Sequence, residues 1–234
     1  MQHIWYVAYG SNLSRERFCY YLRGGRPDGS DRDYPGCRDP SDPMDSFGLL
    51  IAGGIYFAGR SSGWRAGMAF YDPEAPGEVA ARAYLITAEQ FVDVLAQETL
   101  RSPGMALDLA PAFRGDRYSN GVGGYSILVR VGCRHGVPLV TFTRDRRSAP
   151  TLLAPTALYL AAMATGLREA HGWSRTQIDR YLSAIPGCGD EHGYKTPQSV
   201  DDHAMTSYGS LLLRRAGNEG LSPSFDERGA SRCA

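Results

Sequence analysis

The order of elements predicts an α+β protein built on a small, mostly antiparallel β-barrel with surrounding helices. Three observations carry the prediction. Apolar runs at residues 4–7 and 79–86 have strand character. Turn residues recur between short strands. The strands come mostly as hairpins, with one helix among them and helices after them, rather than as regular βαβ units. An apolar content of 43% over 234 residues is enough for one large core, or for a domain with insertions.

The chain opens on Ile4, Trp5, Tyr6 and Val7, an almost unbroken apolar run that reads as a buried strand. The run stops at Gly10, Ser11 and Asn12, residues that favour turns and caps. Residues 15–22 follow as a helix, with Asn12 or Ser14 as its N-cap. A strand feeding a helix through a glycine turn leaves backbone N–H groups facing whatever anion or carbonyl lies above. Many such junctions bind nothing, so the anion cradle needs support from the rest of the chain.

Residues 24–46 are rich in Gly, Pro, Asp and Arg, lack an apolar period, and read as a long surface loop. Residues 47–57 read as one strand, or as two bent at Gly53 and Gly54. Residues 64–71 and 79–86 flank a turn and predict a hairpin. Thr87 and Gln90 then make a capping box. The helix they start has Phe91, Val94 and Leu95 on one stripe, and the next member of that stripe is Glu98. Its other acids, Glu89 and Asp93, fall on other faces.

Residues 101–124 are irregular again, and residues 125–131 and 138–143 make a second hairpin. Pro155 opens a helix that runs to about residue 170 and ends at Gly172. Ser174 and Gln177 form another capping box, with Trp173 and Ile178 as a hydrophobic staple. The stripe of that helix is Ile178, Tyr181, Leu182 and Ile185. A last helix is expected over residues 200–214 and a disordered tail over 216–234. The organisation expected is a single domain over residues 1–215. It carries inserts at about 24–46 and 101–124, and both should lie at the mouth of a pocket.

Lys+Arg and Asp+Glu are equal at 25 each, so no global field draws nucleic acid or an anionic membrane. No apolar stretch is long enough to span a bilayer, and no basic region precedes the first apolar run as in a signal peptide. Cys19, Cys37, Cys133, Cys188 and Cys233 are widely spaced and odd in number. They read as reduced thiols of a cytoplasmic protein. Neither the cysteines nor the five histidines have metal-ligand spacing, so no metal and no cofactor are expected.

Glu98 is the leading candidate for chemistry. A carboxylate on a core-facing stripe is costly to bury unpaired, and desolvation raises its pKa toward the range of a general base or acid. The structural alternative is a frayed last turn in which Glu98 only pairs with an arginine.

The string Tyr9-Gly10-Ser11-Asn12-Leu13, at the end of a first strand, resembles the signature loop of the γ-glutamylcyclotransferase family. Gln97-Glu98 matches the position of that family's catalytic glutamate. Gly124-Tyr125 resembles its Gly-x-Tyr strand start, and Pro155 to Tyr159 its Pro-Ser-Pro-x-Tyr helix start. The resemblance implies Glu98 as catalytic base, with Tyr9, Gly10, Ser11, Asn12, Leu13, Tyr125 and Tyr159 as substrate-binding residues. It implies release of 5-oxoproline and an amine from a small-molecule γ-glutamyl amide, without metal or cofactor. A homodimer is left open. Compact family members have short connections where this chain has its two inserts. That departure points away from free glutathione and toward secondary metabolism, as in the butirosin pathway, where a γ-glutamyl group is removed from an aminoglycoside. Amide hydrolysis, and γ-glutamyl binding without turnover, are the alternatives.

Overall fold

The computed structural model describes residues 2–27, 30–61, 66–115, 117–121, 123–145 and 151–188. In chain order the first elements are β1 (His3–Ala8), a 3-10 turn (Ser11–Leu13), α1 (Arg15–Arg23), β2 (Asp45–Ala52), β3 (Gly54–Ala58) and β4 (Met68–Asp72). There follow β5 (Glu78–Thr87), α2 (Ala88–Glu98), α3 (Ala110–Arg114), β6 (Arg117–Ser119), β7 (Ile127–Arg134), β8 (Val137–Thr143), α4 (Ala157–His171) and α5 (Arg175–Ser183). The helix and tail expected beyond residue 200 lie outside the described residues.

Six strands form one sheet in the order β2–β5–β1–β8–β7–β6. Every pairing in it is antiparallel except β1 with β8. β3 and β4 form a separate antiparallel pair. The antiparallel-rich α+β fold expected from the sequence is therefore present. Among the described residues, the backbone ladders run as two sheets set side by side.

β1 is central and covered on both faces, which explains its unbroken apolar run. Trp5, Val7 and Tyr9 enter a core with Leu160, Met163 and Leu167 of α4 and Ile178 and Leu182 of α5. Ile4, Tyr6 and Ala8 enter a second core with Phe18 and Leu22 of α1 and Phe91, Val94 and Leu95 of α2. Both expected capping boxes form, at Thr87 with Gln90 and at Ser174 with Gln177. Ser14, not Asn12, caps α1, its side chain accepting from the Arg17 amide.

Three expectations need correction. The hairpin of residues 64–71 with 79–86 does not form: β4 pairs with β3, and β5 is occupied on both sides by β1 and β2. Residues 47–57 follow the second of their two readings: two strands divided at Gly53, whose φ of +124° sends the chain from one sheet to the other. The second insert is not wholly irregular, since it holds α3 and β6. Cys133 is disulfide-bonded, while Cys19, Cys37 and Cys188 are free. The remaining cysteine, Cys233, lies outside the described residues. The argument for a reducing compartment thus rests on three thiols.

Candidate active site

β1 delivers its last residues to the edge of a cavity of about 650 Å³. The 3-10 turn folds back at once, the Leu13 amide donating to the Gly10 carbonyl at 3.0 Å. Gly10, Ser11 and Asn12 line one wall. Tyr6, Tyr9, Phe142, Tyr125 and Tyr159 line the interior, and Glu98 stands at the end of α2. The cavity is thus built where the central strand, the turn, α2 and α4 meet.

Glu98 lies where its stripe predicted, half-buried and facing the turn. Its Oε1 accepts from Asn12 Nδ2 at 3.1 Å. The same Nδ2 donates to the Tyr6 hydroxyl at 3.2 Å. Asn12 is 4% exposed, and its Oδ1 has no hydrogen-bond partner among the described residues. Burial pushes the Glu98 carboxyl above its ordinary value. The Tyr21 hydroxyl, the Arg17 and Arg32 guanidiniums and Asn12 pull the other way without overcoming it. The C-terminal end of a helix, with its partial negative charge, adds to the cost of ionising a carboxylate there. A carboxyl raised in this way is a more effective proton acceptor than an ordinary glutamate.

The segment after Glu98 is strained. Leu100 has φ of +59°, in the left-handed region that usually needs glycine, and is 66% exposed at the cavity mouth. Strain of this kind clusters at functional sites.

The expected substrate-binding residues divide. Tyr9, Gly10, Ser11, Asn12, Tyr125 and Tyr159 all line the cavity. Leu13 does not: it is fully buried in the core against α4. The expected cradle is also narrower. The Leu13 and Ser14 amides are used within the turn. The Ser11 backbone and hydroxyl engage the Tyr159 hydroxyl. The amides of Gly10 and Asn12 remain without a partner among the described residues. Tyr159 also accepts from the Ala69 amide at 3.2 Å, and the Tyr9 hydroxyl donates to the Phe142 carbonyl at 2.8 Å.

Sequence reasoning missed Arg17, Tyr21, Arg32 and Tyr34. Arg17 and Tyr21 are spaced i, i+4 on α1, so their common face was readable. The Arg17 guanidinium donates to the Tyr34 hydroxyl. Arg32 and Tyr34 come from the first insert, where no periodicity marks a direction. That insert does reach the mouth, as expected. Most of the second does not: Gly104 to Ala110, with Phe113 and Arg114, line a separate groove along α2. Burial pushes the Cys37 thiol up to about 12, so it stays protonated and unreactive at neutral pH. Among the described residues, no group of three or more His, Cys, Asp or Glu side chains could hold a metal ion. No helix of the described residues is long and apolar enough to cross a membrane.

No family model matches the chain. A solved structure described as gamma-glutamyl cyclotransferase aligns over 88% of this chain and 99% of its own, with a TM-score of 0.50 and 14% identity. A human protein described as uncharacterized aligns over the same shares, with a TM-score of 0.49 and 15% identity. The chain is also 28% identical over 198 residues to histone deacetylase 5 of Arabidopsis thaliana, covering 76% of this chain. It spans only 30% of the length of that relative. The fold of this chain is that of gamma-glutamyl cyclotransferase.

Proposed function

We propose that this chain is an enzyme that cleaves a γ-glutamyl amide by intramolecular aminolysis, releasing 5-oxoproline and a free amine. The observation that carries the reading is the desolvated Glu98 carboxylate, bonded through Asn12 to the turn that offers the Gly10 and Asn12 amides.

The substrate's α-ammonium, with an ordinary pKa near 8, gives a proton to Glu98. The freed nitrogen attacks the γ-carbonyl carbon of the same molecule, and the C–N bond of the five-membered ring forms. The carbonyl oxygen becomes an oxyanion that the Gly10 and Asn12 amides are poised to hold. Glu98 passes its proton to the nitrogen of the amine half and takes the second proton from the attacking nitrogen. The oxyanion then collapses, the C–N bond to the amine half breaks, and the departing amine takes the second proton from Glu98. The substrate carries its own nucleophile, so proximity is built in. Tyr125 and Tyr159 form the wall against which the glutamyl half packs. The substrate is a small molecule, and no nucleic acid or membrane takes part. The cytoplasmic location proposed rests on the free thiols of Cys19, Cys37 and Cys188.

The test is incubation with a panel of γ-glutamyl amides and mass spectrometry of the products. 5-Oxoproline is expected. Glutamate in its place would mean that water had replaced the amine, and no product from any amide would mean binding without turnover. Glu98→Gln keeps the shape but removes the base, so cyclisation should fall by roughly 10²–10⁴-fold.

A further inference from the structure

A general base has to be held still while it faces the substrate, by neighbours that are themselves locked. Asn12 restrains Glu98 from the turn. A second restraint comes from α1, from a residue that the reaction above does not use. Tyr21 is buried, lines the same cavity, and its hydroxyl is hydrogen-bonded to the Glu98 carboxylate. Its carbonyl accepts at 2.9 Å from Nε2 of Gln97, the residue before Glu98. The backbone of Tyr21 is thus tied to the last turn of α2, and its side chain to the base.

The Tyr21 ring is fixed in turn. Its centre lies 4.7 Å from that of Tyr34, edge to face. Arg17 stands one helical turn before Tyr21 on α1. Its guanidinium carbon lies 5.0 Å from the centre of the Tyr21 ring and 4.5 Å from that of Tyr34, and the guanidinium donates to the Tyr34 hydroxyl. All three side chains are buried, and a guanidinium against aromatic faces gains most where water is excluded. Tyr34 belongs to the first insert. Its amide and carbonyl exchange hydrogen bonds with Gly25 at 2.8 and 2.9 Å, so the insert closes on itself just beyond α1. The Gly36 amide then donates to Gln97 Oε1 at 3.3 Å. The insert is anchored beside the base and delivers a buried ring to Arg17 and Tyr21. A loop that only widened the cavity mouth would need neither contact.

We infer that Tyr21 is a positioning residue for Glu98, and that Arg17 together with Tyr34 of the first insert holds Tyr21 in place. The value of that grip to the reaction rests on the cyclotransferase reading above; the grip itself does not.

The test uses the full chain and its Tyr21→Phe and Tyr34→Phe variants, each of which loses one oxygen and keeps the ring. The Glu98 carboxyl is titrated by infrared difference spectroscopy, with Glu98→Gln identifying its band. Glu98 also faces Tyr6, Tyr9, Asn12, Arg17, Arg32, Tyr125 and Tyr159. Burial holds Tyr6, Tyr9, Tyr21, Tyr125 and Tyr159 above the ordinary tyrosine value, and a guanidinium does not titrate. The band therefore reports Glu98 itself. The Tyr21 hydroxyl favours the ionised carboxylate, so Tyr21→Phe should raise the midpoint, and Tyr34→Phe should raise it less. With γ-glutamyl-alanine as substrate, Tyr21→Phe should lower kcat for 5-oxoproline release roughly 10-fold, the worth of one hydrogen bond to a charged group. KM should stay nearly constant, and the acid limb of kcat/KM should move with the infrared midpoint. An unchanged midpoint in Tyr21→Phe overturns the inference, whatever the change in melting temperature. A midpoint that moves in Tyr21→Phe but not in Tyr34→Phe overturns the part assigned to the insert. A raised KM at constant kcat also overturns the inference, since Tyr21 would then bind substrate instead of placing the base. If the wild type cyclises neither this substrate nor any amide of the panel, the cyclotransferase reading fails, and the infrared midpoint alone decides whether Tyr21 holds Glu98.

Discussion

Glu98 sets two opposite demands at the scale of a single residue. A base must be able to ionise, yet burial raises the cost of its charge. A base works deprotonated, so activity should rise with pH through the raised pKa of Glu98. The acid limb of kcat/KM should then lie above the ordinary glutamate value of about 4.3. Asn12 donates to the ionised form, so Asn12→Ala should move that limb to still higher pH, measured as a pH–rate profile. Stability carries the same sign. The folded state holds the proton more tightly than the unfolded one. The contribution of Glu98 is therefore fully present below its unfolded pKa and is lost as pH rises through the folded pKa. Glu98→Gln should melt higher than the wild type at pH 7 to 8, with the difference shrinking in acid. Glu98 was legible because it falls seven residues after Phe91. Asn12 was legible only as part of a turn, since nothing in sequence tells a side chain that caps a helix from one that reaches across to another.

Among the elements, α2 does more than present its last residue. Asp93 and Gln97 are buried at 1% and 0% exposure on a face that the apolar stripe did not mark. Asp93 accepts from the amides of Arg38 and Gly104, one in or near each insert, at 3.0 and 2.7 Å. Gln97 accepts from the Gly36 amide and donates to the Tyr21 carbonyl. The helix thus pins the chain on both sides of the cavity. The Arg38 side chain is half-exposed, so its ion pair with Asp93 contributes little, and the backbone amides dominate. Asp93→Ala should cost about 3 kcal/mol in urea unfolding, from orphaned donors. Thr87→Ala, which breaks the capping box, should cost about 1 kcal/mol. The caps were legible because they need only local spacing. Asp93 and Gln97 were not, because their partners lie in loops whose path no period reveals.

For the whole molecule, the order of elements was legible but the strand partners were not. Chain neighbours β4 and β5 look like a hairpin, yet β5 fills both its edges with longer partners, and β4 is left to β3. The seam between the two sheets is therefore bridged by side chains. Thr143 of β8 donates to the Tyr71 carbonyl at 2.6 Å, and the Tyr125 hydroxyl reaches the Ala69 carbonyl at 3.5 Å. The Ala69 amide donates to the Tyr159 hydroxyl, which also engages Ser11. Tyr159 links α4, the small sheet and the turn at one oxygen, and it lies so close to Gly10 that an added Cβ there would sit 2.6 Å from it. The cavity occupies this seam, where side chains instead of a ladder leave space. Tyr159→Phe removes the oxygen and nothing else. It should strand a buried N–H at Ala69 and cost about 2 kcal/mol. It should also loosen the turn that holds the glutamyl half, raising KM more than it lowers kcat, because Glu98 and Asn12 keep their own bond. Unchanged stability in Tyr159→Phe would mean that the seam is held by packing alone. A loss of kcat at constant KM would mean that the hydroxyl acts on the reacting atoms themselves.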